Sequence, residues 1–527
     1  STVKLHWNFE ALPPSRLHLR DMQAVRSAVR WSSAREFSVW SPKEAGGGEG
    51  RGGRDTLGKR LLSLVYPKRS AVVEIAKWIE QGHAVQKYRL NRIVRELRKF
   101  NRHKHALEIC EWMTRQNDMR LVGGDYAVHL DLIAKIRGLQ SAEKFFEDLP
   151  DNMRGHEACT ALLHVYVRNK LVDKAEALMS KMLECGFLKS PLPYNHMLML
   201  YFELGQMDKL ANMVRELKKN VTPDTVTYNL LLSVFASRGD VDSAEKMFMD
   251  LRMKKVPPDW VTYSTLANLY TKRELYEKAA SALNEMEKLA SRRNRAAYSS
   301  LLSLHTGLGN KDEVRRIWTV MGSLFRKMND AEYLCMISAL VKLGELNGAL
   351  DIYKEWESTS GTGDPRLSNV MLGAYIKNRQ MEVAEEFYNT HMLAKGIRNS
   401  YTTWELLTWG CLRRKQSGKA LEYLEKAIDS VKSWDFNEKL VGEYWKNLEE
   451  EADIEGAERL LVLLRKAGHV STNMYNSLLR TYEKAGKMPL IVTERMERDN
   501  VKLDAETHEL IKATSNLCIS EVSSCLH

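Results

Sequence analysis

The sequence predicts an all-α chain, an α-solenoid of antiparallel helix pairs with a period of about 35 residues, and three observations predict it. Residues 225–259 read as two amphipathic helices. Leu231, Leu232, Val234 and Phe235 share one face of the first, and Val241, Ala244, Met247, Phe248 and Leu251 share one face of the second. This unit then recurs: Tyr228 is followed at intervals of 35 by Tyr263, Tyr298 and Tyr333, and sixteen places after each stands Ala244, Ala279, Val314 or Ala349. Finally, Gly205, Gly239, Gly309, Gly344 and Gly486 each fall eleven places after a tyrosine of the series. A helix pair of this size cannot bury both apolar faces alone, so successive pairs must stack into a superhelix with a continuous core and a concave groove.

Within the unit, Arg238-Gly239-Asp240 separates the two helices. Glycine adopts the left-handed conformation that ends a helix, and aspartate accepts from the free N–H groups that begin the next. Pro257-Pro258 stops the second helix before the pattern restarts. The register reaches back through Tyr194 with Leu210, Cys159 with Ala175, Tyr126 with Ala142 and Leu90 with Ala106. Forward it runs through Ser368 with Ala384, Trp404 with Ala420, Val441 with Ala457 and Tyr475 with Ile491.

Tetratricopeptide repeats share this period but want a small residue at the eighth position of the first helix, where this chain has Leu198, Leu232, Ala267 and Leu302. The openings Val226-Thr227-Tyr228-Asn229-Leu230-Leu231 and Val261-Thr262-Tyr263-Ser264-Thr265-Leu266, with the endings Pro223-Asp224 and Pro258-Asp259, resemble the pentatricopeptide repeat family instead. The resemblance spans residues 87–504, about 12 repeats. It implies a right-handed superhelical solenoid of the type without a C-terminal catalytic extension, similar to plant mitochondrial members.

The flanks are read separately. Residues 1–55 lack periodicity and end in a Gly-rich run, while the segment opening at Met22 carries Arg26, Arg30 and Arg35 with no acid before Glu36. That pattern predicts a mitochondrial transit peptide with Met22 as the native start, and Arg35-Glu36-Phe37-Ser38 resembles a plant mitochondrial cleavage site. Residues 56–86 place Leu61, Leu62 and Val65, then Val72, Ile75, Trp78 and Ile79, at helical intervals outside the repeat register, which predicts an N-terminal cap. At the other end a capping helix is expected from Ala505 to Ala513, and a polar tail from Thr514.

Residues 1–120 hold 24 Lys and Arg against 12 Asp and Glu, a surplus larger than the +11 of the whole chain, so the repeats are nearly neutral. In the densest basic stretch Arg92, Arg95, Arg98 with Lys99, and Arg102 follow helical spacing. Such a row could seat RNA phosphates or could be a solvated helix face. The seven cysteines, Cys110, Cys159, Cys185, Cys335, Cys411, Cys518 and Cys525, fit neither a disulfide framework nor a zinc site. No glycine-rich phosphate loop, metal-ligand spacing or catalytic constellation stands out, so neither a cofactor nor an enzymatic role is expected, and no uncharged apolar run is long enough for a membrane span.

The family resemblance implies that the residue after the tyrosine and the last residue of the same repeat together read one RNA base. Carried onto this chain, the pairs are Asn195 with Asp224, Asn229 with Asp259, Ser264 with Asn294, Ser299 with Asn329, Asn369 with Ser400, and Asn476 with Asp504. The family pattern implies U, U, A, A, C and U from 5′ to 3′. Ala127, Thr160 with Ser190, Leu334 and Glu405 depart from it and interrupt the tract. The same Asn and Asp side chains could simply cap helices. Two functions follow: a protein of the mitochondrial matrix that binds single-stranded RNA in organelle RNA stabilisation, processing or translation, or a scaffold subunit of the plant mitochondrial ribosome contacting rRNA and proteins.

Overall fold

The computed structural model describes residues 56–64, 69–116, 118–291, 294–360, 362–431 and 434–524, and the expected targeting segment at residues 1–55 lies outside them. Regular structure among the described residues is entirely helical, and none of these helices is long and apolar enough to cross a membrane. The chain falls into two units, one up to Ser291 and one from Arg292.

In the first unit the pairs are Lys87–Lys99 with His103–Thr114, Gly123–Ile136 with Leu139–Glu147, His156–Arg168 with Val172–Glu184, Pro191–Glu203 with Met207–Asn220, Thr225–Arg238 with Val241–Met253, and Trp260–Lys272 with Tyr276–Leu289. In the second they are Arg295–Gly307 with Lys311–Leu324, Asp330–Lys342 with Leu346–Ser360, Pro365–Lys377 with Met381–Phe387, Tyr401–Arg413 with Ser417–Asp429, Glu438–Glu451 with Ile454–Lys466, and Thr472–Lys484 with Val492–Arg498. The helix Met381–Phe387 runs on into a π-helical stretch, Tyr388–Leu393. Through most of each unit a first helix packs on its own second helix and on the first helix of the next pair.

The periodic residues make these contacts. Ala244, Ala279, Val314 and Ala349 are fully buried, and so are Leu198, Leu232, Ala267 and Leu302 at the eighth position, where the bulk is part of the interface. The tyrosine column does a second job. Tyr228 donates to Asp250 at 3.0 Å, Tyr333 to Glu355 at 2.9 Å and Tyr475 to Asp499 at 2.7 Å, and Tyr194 accepts from Asn220 at 2.9 Å. Each hydroxyl therefore ties the start of a first helix to the far end of its own second helix. An outer clasp links neighbouring pairs: Glu245 accepts from Tyr270 at 3.1 Å and Lys278 at 2.6 Å, and Glu176 repeats this with Tyr201 at 2.9 Å and Lys209 at 2.7 Å.

The inter-helix turn has one geometry in every pair except Gly123–Ile136 with Leu139–Glu147, where Gly138 is at φ 90° and ψ −179°. At Gly239 (φ 68°) the next N–H, of Asp240, reaches back to the Phe235 carbonyl at 3.1 Å. Where no glycine stands, the same place still holds a left-handed residue: Asn101, Lys170, Glu274, Arg379, Lys415 and Ala452 all have φ between 53° and 62°. At Gly239 a side chain would also collide with Arg273, whose guanidinium donates to the Arg238 carbonyl at 3.3 Å.

Two expectations are corrected. Ile491 is not a buried partner of Tyr475: it is 61% exposed with φ 49° and stands just before the helix Val492–Arg498, and Val492 takes the buried place. Pro489 disfavours helix at the residue before it, which delays the start of this helix. The last helix spans Ala505–Ser524, well beyond Ala513, and within it the Thr514 and Ser515 hydroxyls bond carbonyls of the preceding turn at 2.7–3.0 Å instead of breaking the helix. The N-terminal segment folds as Leu57–Ser63 and Ala71–Glu80, which lie against Lys87–Lys99 and His103–Thr114 respectively, as a helix pair would. Leu61 and Ile75 are fully buried there, whereas Ile79 is exposed and Val65 lies outside the described residues.

Glycine at a left-handed position removes a strain of about 1 kcal/mol that an L side chain carries. Glu274→Gly should therefore raise the thermal midpoint of helix loss by circular dichroism, whereas Gly239→Ala should lower it and disturb Arg273.

Candidate nucleic-acid interface

The four free N–H groups at the start of a helix need acceptors, and at several repeat boundaries the last residue of one repeat supplies one to the next. Asp224 accepts from the Thr227 N–H at 2.8 Å, Asp259 from the Val261 and Thr262 N–H groups at 3.0 Å each, and Asp504 from the Thr507 N–H at 2.8 Å. Ser400 takes the same place before Tyr401–Arg413, accepting from the Thr403 N–H at 3.4 Å. These residues are helix caps, and they are also bonded to the residue after the tyrosine. Asn195 donates through Nδ2 to Asp224 at 3.3 Å, Asn229 to Asp259 at 2.9 Å, Asn369 to Ser400 at 3.1 Å and Asn476 to Asp504 at 3.2 Å. The structure thus brings four of the six expected pairs into direct contact.

The serine pairs differ. Asn329 caps Asp330–Lys342, accepting from the Glu332 N–H at 3.0 Å, and no bond joins it to Ser299. Glu332 is 1% exposed and is held by Arg295 at 2.6 Å. Ser264 belongs to the first unit and Asn294 to the second, where Asn294 caps its own helix, accepting from the Ala297 N–H at 3.3 Å.

The asparagines are covered: Asn195, Asn229 and Asn476 are at most 2% exposed. Each carbonyl Oδ1 accepts from a threonine of the next first helix, Thr227 at 2.8 Å, Thr262 at 2.6 Å, Thr403 at 2.8 Å and Thr507 at 2.7 Å for the four asparagines in order. Sequence reasoning read these threonines only as part of the repeat opening. It also missed two contacts. Asn91, one place after Leu90, donates to Asp125 at 2.8 Å, and Asn437 donates to Glu405 at 2.6 Å, so Glu405 is paired after all with the polarity reversed. These two spacings, 34 and 32 residues, are longer than the 28 to 31 of the asparagine pairs, so counting along the repeat did not find them.

The basic row divides. Arg92, Arg95 and Lys99 are exposed, with Lys99 bonded to Glu96 at 2.7 Å. Arg102 turns inward and donates to the Leu62 and Leu64 carbonyls, closing the helix Leu57–Ser63. Arg98 donates to Asp131 at 2.8 Å, and Lys135 meets the same carboxylate oxygen at 2.7 Å. Asp131 is 4% exposed. Burial would raise its carboxyl, but Lys135 and Arg98 overcome this and hold it at about 2, below its ordinary 3.8.

With these geometries in view, the comparisons with known proteins fall into place. The PPR repeat family model matches residues 223–272, PPR repeats match 157–187, 261–289, 333–358 and 367–390, and the pentatricopeptide repeat domain matches 178–238. A mitochondrial pentatricopeptide repeat-containing protein of Arabidopsis thaliana is 65% identical over 93% of this chain and 93% of its own length. The chain belongs to the pentatricopeptide repeat family. A second mitochondrial member from Arabidopsis thaliana is 33% identical over 87% of this chain and 91% of its own. The crystal structure of the pentatricopeptide repeat protein PPR10 in complex with an 18-nt psaJ RNA element shares the fold, with a TM-score of 0.50 and 16% identity over 84% of this chain and 68% of that one.

Because the folded carboxyl of Asp131 lies below its unfolded value, its stabilisation is complete above about pH 4 and is lost as the pH falls toward 2. Asp131→Asn should leave Arg98 and Lys135 without their shared counter-charge and cost about 3 kcal/mol at neutral pH, with the difference from wild type vanishing in acid. Hydrogen exchange of the Gly123–Ile136 helix reads this locally.

Proposed function

We propose that this protein binds single-stranded RNA in mitochondria and acts in organelle RNA stabilisation, processing or translation, reading bases through its Asn and cap-residue pairs. The observation that carries the reading is the coupled recurrence of one contact, the amide after the tyrosine bonded to the cap of the next helix, at Asn195, Asn229, Asn369 and Asn476. A capping role alone requires the Asp or Ser but not the asparagine some thirty residues earlier. At Asn195, Asn229 and Asn369 the amide spends one N–H and one carbonyl lone pair inside the protein and keeps one of each, a donor and an acceptor that suit the edge of a base, whereas the Asn476 amide also meets Glu506 at 3.3 Å. Asn195, Asn229 and Asn476 are buried and Asn369 half-buried, so a base reaches them as adjoining first helices part. The names of the two Arabidopsis relatives support the compartment, and the RNA in the PPR10 crystal supports the ligand class. Neither bears on the processing step served. The scaffold reading, a ribosomal subunit contacting rRNA and proteins, is separated by co-sedimentation with mitochondrial ribosomal subunits in a sucrose gradient.

For the phosphates, the exposed cations Arg92, Arg95 and Lys99 are the candidates. Replacing Arg92 and Arg95 by Gln should flatten the log–log salt dependence of RNA binding by roughly 0.7 for each phosphate no longer neutralised. An unchanged slope, with helix content intact, assigns both side chains to solvent.

Asp259 caps its helix and orients Asn229, and asparagine caps a helix as well as aspartate does. Asp259→Asn should therefore keep the fold while replacing an obligatory acceptor with an amide that can also donate. The preference at that one position should move from U toward C by about 1 kcal/mol, measured with oligonucleotides carrying UUAA varied one base at a time. Equal affinity for all four bases, before and after the substitution, would leave Asn229 and Asp259 with a capping role only.

A further inference from the structure

The threonine three places into a first helix is chosen in step with the asparagine of the preceding repeat. Thr227 follows Asn195, Thr262 follows Asn229, Thr403 follows Asn369 and Thr507 follows Asn476. Where the preceding repeat offers another residue, the place holds something else: Ala158 after Ala127, Pro193 after Thr160, Ala297 after Ser264, Glu332 after Ser299, Leu367 after Leu334 and Leu440 after Glu405. Asn91 is followed by Asp125, which takes the amide directly. A threonine serving its own helix alone would have no reason to track a residue in another repeat. The four are at most 1% exposed, so their hydroxyls work inside the protein.

We propose that this threonine is a specificity-determining positioning residue, which fixes the end of the asparagine amide that stays available to a base. The proposal rests on the base-reading role of the asparagines. The backbone N–H of the cap residue donates to the threonine oxygen, at 3.1 Å from Asp259, 3.0 Å from Ser400 and 3.3 Å from Asp504. The threonine hydroxyl lies 2.6–2.8 Å from the asparagine Oδ1, and it also lies 3.1 Å from the Asp259 carboxylate, 2.8 Å from that of Asp504 and 3.1 Å from the Ser400 hydroxyl. With Oδ1 facing it, the threonine is the donor in the first of these contacts. The amide nitrogen is left facing the cap residue, and an amide turned end for end would lose the threonine donor.

How much depends on the threonine differs between repeats. Opposite Asp259, a turned amide would set its carbonyl against a carboxylate, which only accepts, so the Asp by itself favours the observed orientation. Opposite Ser400 there is no such guard, because a serine hydroxyl donates or accepts and satisfies either end of Asn369. There the Thr403 hydroxyl, 2.8 Å from Oδ1, supplies the donor that the observed orientation uses, with no carboxylate to hold the amide in its place. The geometry therefore predicts that the Asn369 position depends on its threonine hydroxyl far more than the Asn229 position does.

The experiment compares wild type with Thr403→Val, Thr403→Ser and Thr262→Val in the full chain, using oligonucleotides of sequence UUAANCNNU with each N held constant. The base opposite Asn369 and the base opposite Asn229 are varied separately. Thr403→Val, which keeps the shape and removes the hydroxyl, should reduce the preference opposite Asn369 by on the order of fivefold and leave that opposite Asn229 unchanged. Thr403→Ser should restore it, and Thr262→Val should change its own position less. A purely structural threonine would weaken all oligonucleotides alike and would not be rescued at a single base. Circular dichroism follows the fold, and if Thr403→Val lowers helix content, Thr403→Ala supplies the hydroxyl deletion with less bulk. Retention of the wild-type preference opposite Asn369 in the hydroxyl-free variants overturns the proposal while the base-reading role stands. Absence of any preference at either position in wild type overturns both.

Discussion

The fold depends on apolar surface that no helix pair can bury by itself. Each first helix has two neighbours to satisfy, its own second helix and the first helix of the next pair, and the eighth-position residues Leu198, Leu232, Ala267 and Leu302 are fully buried. A leucine withdrawn from water in this way contributes about 2 kcal/mol. Apolar contact is non-directional, however, and would tolerate sliding of one helix along another. Polar ties remove that freedom. Tyr194, Tyr228, Tyr333 and Tyr475 each lock their own pair internally, and the Glu245 and Glu176 clasps lock one pair to the next. The same division of labour explains why tyrosine, rather than phenylalanine, marks the register: its ring fills the core while its hydroxyl reaches a partner more than twenty residues on.

The candidate interface grows out of a structural necessity. A helix start is stabilised by a side-chain acceptor, so a cap residue is useful at a repeat boundary whatever the protein does, and it is present before Thr225–Arg238, Trp260–Lys272 and Tyr401–Arg413. That cap lies beside the preceding first helix, within reach of the residue after its tyrosine. An acceptor already present for folding thus becomes the partner of an asparagine, as at Asp224 and Asp259. Capping and the contact to the asparagine are therefore coupled through one carboxylate, and the base-reading role we propose uses the same geometry.

The basic N-terminal segment shows the opposite relation, in which folding takes up residues that look available. Arg98 and Arg102 share a helix face or turn with Arg92 and Arg95, yet the first is held by Asp131 and the second by carbonyls of the N-terminal cap. Only the part of the row that points away from these neighbours keeps its charge free for solvent or a ligand.

The helix pairs, their period, the buried columns and the candidate pairs were legible in the amino-acid order, because a repeat of 35 residues places equivalent side chains in equivalent surroundings and the pattern can be counted. The glycine turn was legible too, but only where glycine stands: Lys170, Glu274 and Lys415 adopt the same left-handed backbone with nothing in their side chains to announce it, since the stacking of the flanking helices imposes it. The slip at Ile491 escaped because one proline shifts a helix start without altering the count. What only the tertiary structure decided is which polar groups meet across repeats. The threonine opposite each asparagine, the reversed pair of Asn437 with Glu405 and the capture of Arg98 by Asp131 all join residues about thirty apart on neighbouring helices. Periodicity says which residues are equivalent, but the rise and rotation from one repeat to the next set which of them touch.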